Sequence, residues 1–172
     1  MSLYDLSIVP IIHGLKNTAA ILQKGINHAK ATNTPLDTFL TARLHSTMEA
    51  FPYQIHRLTD SAKGIPPRLN PSIAPLTLPD VEVTFADLLT RIKKTIEYLE
   101  AVKKEDIDGK EGVEVTLPFT EQKFTGLTYV GLFALPNFWF HVTVVYGLLR
   151  KEGVDVGKSD YLNGQTTTKV EW

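Results

Sequence analysis

Hydrophobic residues recur every three or four positions in four long segments of the chain. This spacing places them along one face of an α-helix, so it predicts four amphipathic helices. The predicted segments are residues 4–33, 35–65, 84–106 and about 127–151. The second segment contains Pro52, where we expect a kink because proline cannot donate a backbone hydrogen bond inside a helix.

The predicted helix ends carry residues that commonly begin and stop helices. Thr84 is followed three residues later by Asp87, which approximates a capping box. Gly153 follows the last helix, and we expect it to end that helix as the residue just beyond the cap. Asn33 and Pro35 mark the end of the first helix.

Two further segments depart from helical spacing. Residues 65–80 contain five prolines, which predicts a long extended crossover between the second and third helices. Val113, Val115 and Leu117 alternate with polar residues, which predicts a small β-hairpin turning near residues 118–121. The expected fold is all-α: a four-helix bundle with this Pro-rich crossover and a small hairpin before the last helix.

The chain of 172 residues has a length that suits one domain. No second boundary or internal repeat is visible, so we place a single helical bundle domain at residues 1–164. The residues that follow are polar, and we expect a flexible C-terminal tail over residues 165–172.

Charge and composition exclude several function classes. Lys plus Arg total 18 and Asp plus Glu total 19, so the net charge of −1 does not favour nucleic acid as a partner. The absence of cysteine excludes disulfides, thiolate catalysis and cysteine-ligated zinc, and it fits a reducing compartment. No signal peptide is visible, and the apolar runs fall short of the ~20 residues of a membrane span. We therefore expect a cytoplasmic protein without membrane contact.

His141 is the first candidate for chemistry because its sequence neighbours are apolar. A buried histidine needs a hydrogen-bond partner, and Asn137 lies one helical turn earlier on the same face. Two interpretations remain open: a core histidine satisfied by a neighbouring polar group, or a polar pair that lines a concave site between helices. Further residues that could contact a ligand at such a site are Arg43, Tyr53, Asp60, Trp139 and Tyr146. Arg43 and Asp60 also fit ordinary surface charges, and Tyr146 fits a plug at the end of the bundle.

The other motifs in the chain offer little support for a metal centre. His45 and His56 lie eleven residues apart, close to three turns of one predicted helix, and therefore ~16 Å apart along its axis. They cannot hold one metal together, although either could face a pocket alone. No Glu-x-x-His pair occurs, which disfavours the di-iron class of bundles. The chain also contains no P-loop, G-x-G-x-x-G, H-E-x-x-H or G-x-S-x-G motif.

Several strings of the chain resemble a known family. These are ARLHSTMEAFPYQI, DSAKG, TFADLLTRIKKTIEYL, VTLPF with FTG, and FALPNFWFHVTVVYGLLRKEGVDVGKSDYLNG. They are similar to an uncharacterised domain-of-unknown-function branch of the DinB/YfiT-like superfamily of four-helix bundles. The resemblance extends from Tyr4 to Gly164. It implies a DinB-like bundle, often a homodimer in that superfamily, and it implies no established activity.

The resemblance also bears on the metal. The superfamily typically binds a divalent metal through three histidines: one from the second helix and an H-x-x-x-H pair from a later helix. The matching positions of that pair are Asn137 and His141, so asparagine stands in place of the first histidine. Asparagine is a poor ligand for zinc or nickel. At most two imidazoles remain, His141 with His45 or His56, against the three protein ligands of a catalytic zinc. We therefore expect no cofactor, with a Zn or Ni site as the alternative.

Three functions remain open. The first is a small-molecule-binding protein or a metal-independent enzyme, in which His141 acts as acid, base or hydrogen-bonding group and Asn137 orients it. The second is a non-catalytic bundle that forms a homodimer through its aromatic helix. The third is a degenerate metal-dependent transferase that uses His141 with His45 or His56. The length of the crossover at residues 65–80 would also allow it to act as a lid.

Overall fold

The structure is a computed structural model that describes residues 2–172. In chain order, the helices are α1 (Leu3–Thr32), α2 (Leu36–Leu40), α3 (Phe51–Lys63), α4 (Ile65–Leu69), α5 (Phe85–Glu100), α6 (Lys104–Ile107), α7 (Gly126–Tyr129), α8 (Leu135–Lys151) and α9 (Lys158–Thr167). The strands are β1 (Glu114–Leu117) and β2 (Thr120–Thr125). One π-helical turn, Val130–Ala134, joins α7 to α8 in a continuous helix.

Four of these helices, α1, α3, α5 and α8, form a bundle. α1 packs against α5 and α8, and α3 packs against the same two helices. The apolar stripes predicted from the sequence lie inside, where residues such as Leu15, Ile55, Ile92 and Val145 are fully buried. Removing these stripes from water drives the helices together. The predicted four-helix bundle is therefore confirmed.

The caps predicted at Thr84 and Gly153 are also confirmed, whereas the third predicted helix ends at Glu100 instead of residue 106, and the separate short helix α6 follows it. Thr84 Oγ1 accepts the backbone N–H of Asp87, and the Asp87 carboxylate accepts the N–H of Thr84, each at 3.1 Å. Gly153 has a φ of +89°, and its N–H donates to the carbonyl of Arg150. The next N–H along the chain donates to the carbonyl of Leu149. These two bonds form a Schellman motif, which favours glycine at its left-handed position.

The prediction of one long second helix is wrong. The chain forms α2, leaves the helical conformation over residues 41–50 and begins α3 at Phe51. Pro52 lies in the first turn of α3, where a missing N–H breaks no helical hydrogen bond, so it starts a helix instead of kinking one. His45 lies in the irregular segment and is exposed, so it does not share a helix with His56.

The Pro-rich crossover is partly helical. Pro66 and Pro67 lie in the first turn of α4, which tolerates residues without an N–H. The expectation of an extended chain is therefore wrong for residues 65–69. The crossover extends to residue 84 and is irregular from residue 70 onward, so the prediction of an irregular connection is confirmed for residues 70–80.

Arg91 of α5 anchors this irregular part of the crossover, and its side chain is completely buried. The guanidinium donates to the Pro79 carbonyl at 2.9 Å and pairs with Asp80 at 3.0 Å and Glu82 at 3.1 Å, all on the crossover. It also pairs with Asp60 of α3 at 3.1 Å. One buried cation therefore ties the crossover to α3 and α5.

The predicted hairpin is confirmed. β1 and β2 pair antiparallel with Val115 opposite Phe124, and the chain turns between them at Pro118. Phe119 lies in this turn and is 66% exposed, but its ring contacts Phe133 with the centroids 5.6 Å apart. The hairpin therefore lies against the π-helical turn that precedes α8.

The C-terminal residues lie along α1. The Asn17 side chain donates to the carbonyl of Leu162 at 2.8 Å and accepts the N–H of Gln165 at 3.2 Å. The N–H of Glu171 donates to Gln23 Oε1 at 3.0 Å. Residues 165–167 form the last turn of α9, and the mobility of residues 165–172 stays a prediction.

The continuous helix from Gly126 to Lys151 is more apolar than the individual sequence runs indicated. Its 26 residues would allow a membrane span by length and composition alone. Within the bundle, however, this helix packs against α1 and α3 and buries residues such as Phe138. The core helix of a globular protein satisfies the same criteria, so they are weak evidence for a membrane span.

Candidate functional site

A cavity of about 1000 Å³ lies between α3, the crossover and the start of α8. This volume is at the upper end of the range for small-molecule sites. Apolar residues of the crossover and the rings of Phe119 and Phe133 form part of its wall. The polar side chains that line it are Tyr53, Arg57, Asp60, Ser61, Lys63, Arg68, Thr77, Asp80, Asn137 and His141. The cavity therefore contains both residues that the sequence analysis placed first.

His141 is held in place from α3. Its Nδ1 lies 2.8 Å from Gln54 Oε1. The amide nitrogen of Gln54 donates to the Glu49 carbonyl at 3.0 Å, which assigns the amide orientation and leaves Oε1 facing His141. An amide oxygen only accepts hydrogen bonds, so the proton of the neutral imidazole lies on Nδ1.

The other ring nitrogen of His141 is left for a ligand. Nε2 makes no hydrogen bond within residues 2–172. It is not one of the buried side-chain atoms there that lack a hydrogen-bond partner, so it remains accessible to solvent. With the proton on Nδ1, Nε2 carries a lone pair and accepts hydrogen bonds. His141 is also one of the side chains that line the cavity.

Burial keeps His141 neutral. It lowers the pKa of the imidazole from 6.5 to about 4, and the positive charge of Arg57 adds to the effect. His141 is therefore uncharged at neutral pH. Burial also lowers the pKa of His56. Its Nε2 lies 3.0 Å from a carboxylate oxygen of Glu82, but the two groups are poorly aligned for a hydrogen bond.

The lowered pKa of His141 makes stability depend on pH. Between pH 6.5 and pH 4 this imidazole is protonated in the unfolded chain but not in the folded protein. The free energy of unfolding is therefore highest above pH 6.5 and decreases as the pH falls. We expect the free energy of unfolding to drop by about 2 kcal/mol more in the parent than in His141→Gln between about pH 7.5 and pH 5. Urea unfolding at the two pH values measures this difference. His45→Gln, at an exposed histidine, should behave like the parent; equal pH slopes for parent and His141→Gln would contradict the assignment.

Asn137 is bound to α3 and not to His141. Its amide nitrogen donates to Ser61 Oγ at 2.5 Å, and the Ser61 hydroxyl donates in turn to the Arg57 carbonyl at 2.9 Å. The expectation that Asn137 orients His141 is therefore wrong, because Gln54 takes that role. α3 lies directly against this face of α8, so Asn137 and His141 each bond across the interface.

The other predicted ligand-contacting residues divide into two groups. Tyr53 and Asp60 line the cavity, and the Tyr53 ring stands edge-on to His141 with the centroids 6.2 Å apart. The residues that lie away from the cavity are Arg43, Trp139 and Tyr146. Arg43 binds the Met48 carbonyl within the 41–50 segment. Trp139 and Tyr146 point toward α9, where each ring lies 6.0 Å from that of Tyr161. They occupy another side of α8, which corrects their assignment as ligand contacts.

The three-histidine metal site of the superfamily does not fit these residues. Opposite Asn137 and His141, α3 presents Ser61 and Gln54 in place of a histidine. His45 bonds Thr47 in the 41–50 segment, and His56 lies against Glu82 and is not among the residues that line the cavity. Across residues 2–172, no three His, Asp or Glu side chains converge as metal ligands. The positive charge of Arg57 beside His141 also opposes a divalent cation there.

Several polar residues of the site, among them Gln54 and Arg68, were not predicted from the sequence. Gln54, Arg57 and Ser61 follow one another at spacings of three and four, so they form a polar stripe beside the apolar stripe of α3. That stripe is a signal that the sequence contains. Arg68 lies in the Pro-rich crossover, where no periodic pattern predicts which way a side chain points.

Comparisons with known proteins support the same architecture. The sequence matches the family described as "Domain of unknown function (DUF1993)" over residues 3–162. The structure is similar to the crystal structure of a DinB family member protein from Shewanella denitrificans, with 33% sequence identity and a TM-score of 0.88. That match covers 94% of this chain and 92% of the other. No curated protein matches the chain. With nearly the whole chain matched in sequence and in fold, this protein belongs to the DUF1993 family and is a DinB-like four-helix bundle.

Proposed function

We propose that this protein binds a small organic molecule in the cavity between α3, the crossover and α8 without the help of a metal. The observation that carries the proposal is the state of His141: Gln54 holds Nδ1, and Nε2 is left as an acceptor at the cavity wall. A polar group held in one tautomer beside an open cavity is suited to recognise a hydrogen-bond donor.

Asn137 offers a second acceptor on the same helix. Its nitrogen is used by Ser61, and its side-chain oxygen makes no hydrogen bond within residues 2–172. Asn137 and His141 are one helical turn apart and both line the cavity. The pair therefore favours a ligand that carries O–H or N–H groups on this side.

Binding fits His141 better than proton abstraction. General bases act best when their pKa lies near the working pH. The pKa of His141 is about 4, so the imidazole is a weak base at neutral pH while it remains a good hydrogen-bond acceptor. The protein would accordingly be a binding protein first, and an enzyme only if a bound ligand raises that pKa.

A pair of neutral probes tests the role of His141. Phenol has one O–H donor on an apolar ring, whereas anisole carries a methyl group in place of that hydrogen. We expect phenol to shift the ¹⁵N signals of the His141 ring and to bind the parent about tenfold more tightly than anisole. In His141→Phe, the affinity for phenol should fall to that for anisole, as measured by NMR titration.

The matched control is His45→Phe, which makes the same change at an exposed histidine outside the cavity and should leave the phenol preference intact. If neither probe shifts any cavity residue at millimolar concentration, the cavity has no affinity for small molecules and the protein is a non-catalytic bundle. If the preference for phenol survives in His141→Phe, the acceptor is another group and the role of His141 is refuted.

A further inference from the structure

The cations on the cavity wall differ in how they are paired. Arg57 pairs with Asp60 at 2.9 Å and also with Asp80. Lys63 pairs with Asp60 at 2.8 Å. Arg68 makes no ion pair with any acidic side chain within residues 2–172, although it lines the same cavity. Its charge is therefore uncompensated by the protein.

Arg68 is nonetheless held in a defined place. Its guanidinium donates to the Tyr129 hydroxyl at 3.0 Å and lies over the Tyr129 ring, 5.7 Å from the centroid. This contact uses one of its five N–H donors, so others remain for a ligand. The side chain is half-buried, which limits the screening of its charge by water.

The balance of charge on the wall indicates how much negative charge a ligand can bring. Three cations, Arg57, Lys63 and Arg68, and two carboxylates, Asp60 and Asp80, line the wall. The buried pair of Arg91 and Glu82 that contacts these carboxylates adds no net charge, so one positive charge is left over. A single negative charge neutralises it, whereas a dianion would also meet the repulsion of those two carboxylates. A carboxylate is a planar monoanion that matches the fork of a guanidinium.

An aromatic surface adjoins Arg68. The Tyr129 ring beneath the guanidinium stacks on Phe133 with the centroids 6.2 Å apart, and Phe133 in turn contacts Phe119. Phe119 and Phe133 both line the cavity, and Phe119 is largely exposed. This surface can cover the apolar face of a ligand whose charged group reaches Arg68.

We propose that the natural ligand is an aromatic or otherwise apolar monocarboxylate, whose carboxylate binds the guanidinium of Arg68 and whose apolar body packs on Phe119 and Phe133. This inference rests on the proposed function, since the same cavity places His141 and Asn137 within the site. It adds the chemical class of the ligand and assigns Arg68 as the residue that selects it.

Gly64 positions the Arg68 guanidinium. A Cβ atom at residue 64 would overlap Nη1 of Arg68 and would also lie 2.9 Å from the Asp60 carbonyl. Gly64→Ala therefore moves the guanidinium without changing any charge. This variant separates a directed carboxylate site from a general attraction between the protein and anions.

Phenylacetate and its neutral counterpart phenylacetamide are the probes for this site. We expect phenylacetate to shift the Arg68 side-chain N–H signal in NMR titrations and to bind the parent more tightly than phenylacetamide. Arg68→Gln should weaken phenylacetate binding by about 10- to 100-fold and leave phenylacetamide unchanged. Gly64→Ala should also weaken phenylacetate. Lys94→Gln removes one exposed positive charge from α5 and should have no effect.

Each alternative outcome refutes a distinct statement. Equal binding of the two probes, unaffected by Arg68→Gln, would refute the carboxylate site while leaving the cavity as a small-molecule site. Phenylacetate affinity that is unchanged in Gly64→Ala would mean that net charge alone attracts the anion. Inorganic phosphate that shifts Arg68 as strongly as phenylacetate would refute the choice of a carboxylate. If neither probe shifts any cavity residue, both the inference and the proposed function are wrong.

Discussion

Replacing Arg91 with methionine is expected to lower the free energy of unfolding by about 3 kcal/mol, at the low end of the range for breaking a buried ion pair. The guanidinium is completely buried, and methionine removes its hydrogen bonds to Thr59 and Pro79. Glu82 is also largely buried, and once Arg91 is removed His56 is the one side chain that still pairs with it. The loss is limited because Asp60 and Asp80 retain Arg57.

Thermal and urea unfolding measure this effect. For a domain of this size, a loss of about 3 kcal/mol corresponds to a fall in Tm of roughly 6 to 12 °C. Hydrogen exchange should also quicken at residues 76–84, because Arg91 ties that segment to the bundle. Lys94→Met makes the same kind of change on the exposed side of α5 and should shift Tm by no more than about 2 °C. Equal shifts in the two variants would show that the buried cluster adds nothing specific.

The same substitution reaches the candidate site. Leu76, Thr77, Leu78 and Asp80 lie on the segment that Arg91 anchors, and all four line the cavity. We therefore expect the variant to lose affinity for cavity ligands along with stability. A crossover that loosens in this way would behave as a lid, and the buried cation would be the contact that keeps it closed.

Phe138→Ala is expected to cost about 3 to 5 kcal/mol of stability, whereas Phe140→Ala should change stability by less than about 1 kcal/mol. The Phe138 ring is fully buried and stands edge-on to Trp139 with the centroids 5.0 Å apart. It also lies so close to α1 that a Cβ atom at Gly14 would approach it to 2.8 Å. Alanine therefore leaves a cavity at the contact between α1 and α8.

Phe140 provides the matched control because it is the same residue type on the same helix. It is 55% exposed, although its ring meets His141 with the centroids 5.1 Å apart. Urea unfolding of the two variants measures the contrast directly. A loss at Phe140 as large as that at Phe138 would mean that the exposed ring is covered by something outside this chain, such as a second copy.

The four consecutive residues from Phe138 to His141 lie in four different environments. Phe138 packs into the core, Trp139 contacts α9, Phe140 faces solvent and His141 lines the cavity. The two interpretations left open by the sequence are not exclusive. His141 is a buried histidine whose Nδ1 bonds Gln54, and it also lines a concave space between helices.

The error in the second helix shows the limit of periodicity. Leu44 and Met48 continue the spacing of four from Leu40, the last residue of α2, through a segment that is not helical. In that segment, side chains form hydrogen bonds with backbone groups: the N–H of Thr47 donates to His45 Nδ1 at 3.3 Å. Such local bonds compete with helix formation, and the pattern of apolar residues does not record them.

Sequence patterns alone predicted the apolar stripes of the bundle, the caps at Thr84 and Gly153, the hairpin, and His141 as the first candidate for the site. Each of these depends on residues close together in the chain, where spacing and side-chain type decide the local structure. Three further features appear only in the folded molecule: Gln54 orients His141, Arg91 anchors the crossover, and Arg68 contacts Tyr129 without an ion pair to any acidic side chain of residues 2–172. These contacts join residues from different helices and loops. They form because of the way those elements pack together, and the spacing of residues along the chain does not encode that packing.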